Sequence, residues 1–124
     1  MNTLADLLNF VVSTLQTSPQ CVSMRVLETH QFSESQFALK VRAEMKSGNT
    51  LQVRLYCNRE HIDYAYQLLN GDKPLVRWDN KEHFSSIPSQ PHHFHDESNQ
   101  VTTSVLTGDP NHDLPIVLKH IESH

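Results

Sequence analysis

Between Phe37 and Cys57 apolar and polar residues alternate with a period of two, and this pattern constrains the fold more than any other feature. Phe37, Leu39, Val41, Ala43 and Met45 interleave with Ala38, Lys40, Arg42, Glu44 and Lys46, and Leu51, Val53, Leu55 and Cys57 interleave with Gln52, Arg54 and Tyr56. Successive side chains of a strand point to opposite faces, so the pattern describes two half-buried antiparallel strands. Ser47-Gly48-Asn49 is read as the loop joining them, with Asn49 in the left-handed conformation. That loop sets Met45 opposite Leu51, Ala43 opposite Val53 and Val41 opposite Leu55, keeping every apolar residue on one face. It also sets Arg42 across from Arg54 on the polar face. Like charges so placed repel, and either an anionic ligand holds them, or they splay into solvent or pair with acids on neighbouring strands, such as Asp63.

The period changes outside this hairpin. Leu4, Leu7, Leu8, Val11, Val12 and Leu15 recur at helical spacing, with Thr3 as N-cap, Asp6 three residues on and Ser18-Pro19 as the stop. Further strands are expected at about Val22 to Phe32, Ile62 to Leu69 and Pro74 to Trp78, with a turn at Asn70-Gly71-Asp72. Residues Asp79 to Asn99 lack periodicity and read as a long loop, and a short strand follows around Val101 to Leu106. A last helix is expected near Asp113-Leu114-Pro115, with Leu114, Val117, Leu118 and Ile121 on one side. The fold expected is α+β, an antiparallel sheet of about five strands with an N-terminal and a C-terminal helix. At 124 residues it forms one domain, residues 1–124.

Composition narrows the function classes. The net charge is −4 with histidines neutral, which argues against indiscriminate nucleic-acid binding. Residues 36–59 are nonetheless basic while the segments on either side are acidic, so that part of the sheet suits a specific anion. No apolar stretch is long enough to span a bilayer and no cleavage-site pattern follows the first helix, so a cytoplasmic protein without a membrane role is expected. Cys21 and Cys57 are read as free buried thiols in a reducing compartment.

The chemistry is concentrated between Arg77 and His95. Arg77-Trp78-Asp79-Asn80 is followed by His83 and by Pro91-His92-His93-Phe94-His95, so four of the nine histidines fall within this span. Three readings stay open. In the first, His92, His93 and His95, supported by His83, are acid and base for cleavage of a phosphodiester, because imidazole gives and takes protons near neutral pH. Arg77, with the Arg42 and Arg54 face, then stabilises phosphoryl charge, and Asp79 orients an imidazole. Trp78, Phe94 or Tyr64 is available to stack on a base. RNA is the natural substrate, since its 2′-hydroxyl is an internal nucleophile and no metal or other cofactor is needed. In the second, His83, His93 and His95, or Asp79, hold zinc or manganese, His93 and His95 sharing one side of an extended segment. In the third, the histidines only hydrogen-bond a long loop.

The same residues carry a family resemblance. Tyr64 and Tyr66 on an aromatic strand, Arg77-Trp78-Asp79-Asn80, His83, Pro91-His92-His93-Phe94-His95 and a C-terminal helix resemble the pattern of the TumE family, toxin components of type II toxin–antitoxin systems. Members often have His-His where this chain has His83-Phe84, and Pro where it has Glu82. The resemblance implies a growth-arresting toxin with a cognate antitoxin, often a helix-turn-helix DNA-binding protein. An exposed apolar patch, covered by the antitoxin or by a second copy in a homodimer, is also expected.

Overall fold

The computed structural model describes residues 3–81 and 87–124. The first helix, α1 (Leu4–Thr17), starts where the sequence places it: the Thr3 hydroxyl accepts the Asp6 N–H at 3.1 Å. Seven strands follow: β1 (Cys21–Ser33), β2 (Gln36–Met45), β3 (Thr50–Asn58), β4 (His61–Asn70), β5 (Lys73–Asp79), β6 (His93–His95) and β7 (Val101–Thr103). They lie in chain order as one antiparallel meander, and α2 (Pro110–Ile121) closes the chain.

Period-two alternation sorts the strands into two faces. Leu39, Val41, Val53, Leu55, Tyr66, Leu68, Val76 and Trp78 form an inner face, and Leu7, Val11 and Leu15 of α1 share their core with Leu114, Val117 and Ile121 of α2. The outer face carries the polar partners, in rows that run across the sheet. One row is Lys40, Arg54, Ala65, Asp79 and His93; its neighbour is Arg42, Gln52, Gln67, Arg77 and His95. Among the described residues no helix is long and apolar enough to cross a membrane.

Three expectations are corrected. The β2–β3 register differs by two residues: Ala43 faces Leu51, Val41 faces Val53 and Arg42 faces Gln52. A shift of two preserves the faces, which is why the apolar pattern alone did not distinguish the registers. The loop is longer than three residues because Met45 donates to the Asn49 carbonyl at 2.9 Å, Gly48 takes the left-handed position and the Asn49 amide donates inward to the His124 carbonyl at 2.9 Å. Arg42 therefore does not oppose Arg54; it donates to Gln52 Oε1 at 3.0 Å, while Lys40 faces Arg54 and Arg25 faces Arg42. The basic outer face survives with different pairings.

The second correction lies within residues 79–99, where His93–His95 forms β6 between β5 and β7. Phe94 packs on Trp78 with ring centres 4.9 Å apart, so Phe94 is the inward residue and both flanking histidines turn outward. The third concerns α2, which is capped by Asp109 with Pro110 in its first turn, one turn earlier than expected. Asp113 is instead fully buried and ties the entry loop to the helix. It accepts the N–H groups of Thr107 (2.9 Å) and Gly108 (2.7 Å) and contacts His112 Nδ1 (2.8 Å). Replacing Asp113 by Ala removes this set of charge-assisted hydrogen bonds and leaves a gap at a fully buried position, and denaturant unfolding is expected to show a loss of about 2 kcal/mol. A loss below about 1 kcal/mol contradicts this role.

Candidate active site

The site grows from the alternation Arg77-Trp78-Asp79 on β5. Trp78 points into the core, so Arg77 and Asp79 share the outer face and the Arg77 Nε donates to Asp79 Oδ2 at 2.7 Å. Beside them β6 sets His95 against Arg77 and His93 against Asp79. The Asp79 carboxylate becomes the hub. Its Oδ1 lies 2.5 Å from His93 Nε2 and accepts the Lys81 N–H at 3.1 Å, and its Oδ2 lies 3.5 Å from His95 Nε2. The rings of His93 and His95 meet edge to face with centres 5.2 Å apart.

Burial grades these groups by role. The side chains of Asp79 and His93 are 3% exposed, whereas His95 is 19% and Arg77 26% exposed. Burial pushes the Asp79 carboxyl up, but the hydrogen bonds from Arg77 and Lys81 and the neighbouring positive charges outweigh it and hold it below the usual carboxylate range. His93 Nδ1 lies 2.9 Å from the Pro91 carbonyl, an acceptor only, so that nitrogen donates. His93 Nε2 lies against Asp79 Oδ1, so the ring is held from both ends. His95 is the reachable imidazole. Burial lowers its pKa, and Asp79 offsets only part of this, so it is neutral and able to accept a proton at physiological pH.

The histidines adjacent in sequence do not all converge. His92 lies on the other side of the sheet, stacked on Tyr64 with ring centres 5.8 Å apart and its Nδ1 2.8 Å from the Tyr64 hydroxyl. Trp78 and Tyr64 are core residues, so neither ring is offered to a base from the outer face. His83 lies outside the described residues. Arg54 and Arg77 do come together, lining an outer-face groove of about 460 Å³ with Tyr56, His61, Lys81 and Pro91. Three further residues contribute in roles the sequence reading did not assign. Lys81 supplies a backbone donor; Asn80 ties the strand ends, accepting the Tyr64 N–H at 3.0 Å and donating to the Ile62 carbonyl at 2.8 Å; His61 lies 2.9 Å from Asp63. Asn80 was visible in the Arg77-Trp78-Asp79-Asn80 run, and His61 had a signal in a His and an Asp two apart on one strand face.

Asp79, His93 and His95 each offer a ligand atom, and these atoms lie within 4.8 Å of one another. The donor set suits zinc or manganese. Asp79 completes it, one of the two residues, with His83, that the sequence reading offered for that place. Against that use, both carboxylate oxygens already accept hydrogen bonds, and the Arg77 guanidinium would face the cation.

A family model described as Toxin TumE matches residues 11–124. The chain belongs to the TumE toxin family. Every residue of this cluster lies inside the matched span, and membership implies a cognate antitoxin. No curated protein and no solved structure matches this TumE chain.

Burial of imidazoles has a thermodynamic consequence. His92, His95 and His120 all have lowered pKa values, each chiefly through burial, so the unfolded chain binds protons at these positions that the folded chain does not. Stability therefore falls as the pH drops below about 6.5 toward the lower folded values. Asp79, whose folded pKa is depressed, adds a further loss only when the pH falls below about 4. Thermal unfolding at constant ionic strength is expected to give a lower Tm at about pH 5.5 than at about pH 7.5. A Tm that is flat or higher on acidification contradicts this.

Proposed function

We propose that this TumE protein is the toxin of a two-gene module and arrests growth by cleaving RNA, without a metal, at the Asp79–His93–His95–Arg77 centre. The observation that carries the reading is the gathering of two imidazoles and a guanidinium around one buried carboxylate, beside a basic groove. The substrate phosphate sits against Arg77. Neutral His95 takes the proton of the ribose 2′-hydroxyl, whose oxygen attacks the phosphorus. Arg77 stabilises the charge that grows on the non-bridging oxygens. The 5′-oxygen leaves with the proton returned by the His95 imidazolium, giving a 2′,3′-cyclic phosphate. Asp79 stabilises that imidazolium, and His93 holds Asp79 in place. His93 and Asp79 are thus positioning residues. The partner is an antitoxin, of the helix-turn-helix DNA-binding kind, whose removal frees the toxin.

Cleavage of single-stranded RNA, assayed with and without chelator, tests the reading. Wild type is expected to cut equally in both, and His95→Ala is expected to lose at least about a hundredfold in rate and to cease arresting growth. Asp79→Asn is expected to lower kcat with little change in KM and to move the acid limb of the pH profile to lower pH. The direction follows from the loss of a charge that raises the His95 pKa. A toxic, fully active His95→Ala variant ends the acid–base account. The convergent donors of Asp79, His93 and His95 favour a second reading, a metal-holding toxin. Activity abolished by chelator and restored by zinc or manganese selects it.

A further inference from the structure

A second cavity, of about 530 Å³, lies around the end of the sheet from the groove just described. The two share His61, Asn80 and Pro91 as walls, so they adjoin along one ridge. That ridge borders the proposed centre: Asn80 follows Asp79, and Pro91 precedes His93 by two residues, at most about 7 Å of chain. One nucleotide step of an extended strand is of the same order. Ile62, Pro91 and Pro110 give the second cavity apolar surface, and Arg59 gives it a cation beside the carboxylates of Glu60 and Asp109. His92 supplies a directional donor. The Tyr64 hydroxyl is buried and His92 Nδ1 is its partner among the described residues, so the phenol proton is satisfied by donating to Nδ1. Nε2 then carries the ring proton, on a residue that lines the cavity. Apolar surface mixed with directed polar groups makes a small-molecule site, the two carboxylates accept from the amino groups of a base, and this volume takes a nucleobase.

We infer that this cavity is a nucleobase subsite, holding the base next to the phosphate bound at Arg77, with Arg59 on the adjoining phosphate and His92 reading the base edge. The inference rests on the RNA-cleaving reading and adds to it a single-stranded substrate with at least one base turned out of its stack. His92 serves recognition rather than proton transfer.

Binding of fluorescent four-nucleotide single strands with 2′-O-methyl riboses, which lack the nucleophile, tests the subsite without cleavage. A matching strand of abasic sugars on the same backbone is the comparison. Wild type is expected to bind the abasic strand about tenfold more weakly. Ile62→Trp, which fills the cavity, is expected to bind both strands alike. Arg59→Gly is a second variant that keeps the fold, since Arg59 already has a left-handed backbone that glycine adopts freely. It is expected to weaken binding about tenfold and to flatten the salt dependence by about 0.7 in log–log slope, the loss of one phosphate contact. Wild type that binds but ignores base removal, or variants that match it, overturn the subsite alone. Wild type that binds neither strand and cuts no RNA overturns the subsite and the ribonuclease reading together.

Discussion

A carboxylate withdrawn from water needs hydrogen-bond donors and positive charge, and Asp79 is withdrawn almost completely. It obtains both from its immediate neighbours on β5, from the chain just beyond it and from β6. The requirement runs in both directions. The carboxylate is ionised because the donors converge on it, and the donors are held in place because the carboxylate is there. Arg77 cannot swing freely, His93 is fixed at both ring nitrogens, and the His95 ring is kept within 3.5 Å. The chemical character of this region of the outer face follows from that one charge.

The sheet delivers these groups by ordinary means. A meander in chain order brings β5 and β6 side by side, although the segment between them is long, and period-two alternation does the rest. Trp78 and Phe94 meet in the core, and that contact commits Arg77, Asp79, His93 and His95 to the opposite face. An apolar pair therefore sets the geometry of a polar centre. The basic residues of β2 and β3 extend the same face, with Lys40 opposite Arg54, so an anion reaching Arg77 crosses a surface already short of negative charge. Asn80 braces the ends of β4 and β5 and stands between this face and the cavity beside the start of α2.

Much of this was legible in the chain. Leu4 to Leu15 with Thr3 and Asp6 carry a complete helix start, and the alternation of β2 and β3 declares which residues are buried. The register was not legible, because a slip of two leaves every apolar residue on its own face, and the hydrogen bonds that choose between registers lie in the loop. β6 escaped because three residues, two of them histidine, are too few to show a period. The start of α2 was misplaced because an aspartate before a proline reads as a cap at both Asp109 and Asp113, and only tertiary burial separates the two. The composition of the site was visible as a run of histidines, but its division was not. Neighbours in an extended chain face opposite ways, so His92 and His93 part company at the strand.

The account stands on the contacts that fix His93 between the Pro91 carbonyl, which accepts from Nδ1, and the Asp79 carboxylate, which lies against Nε2. Long-range nitrogen–proton NMR of histidine-labelled protein near neutral pH reads this directly. The Nδ1 proton of His93 is predicted to exchange slowly with water in the wild type and fast in Asp79→Asn. A bare Nδ1 on that ring, or slow exchange that Asp79→Asn leaves unchanged, would show that Asp79 does not organise the centre.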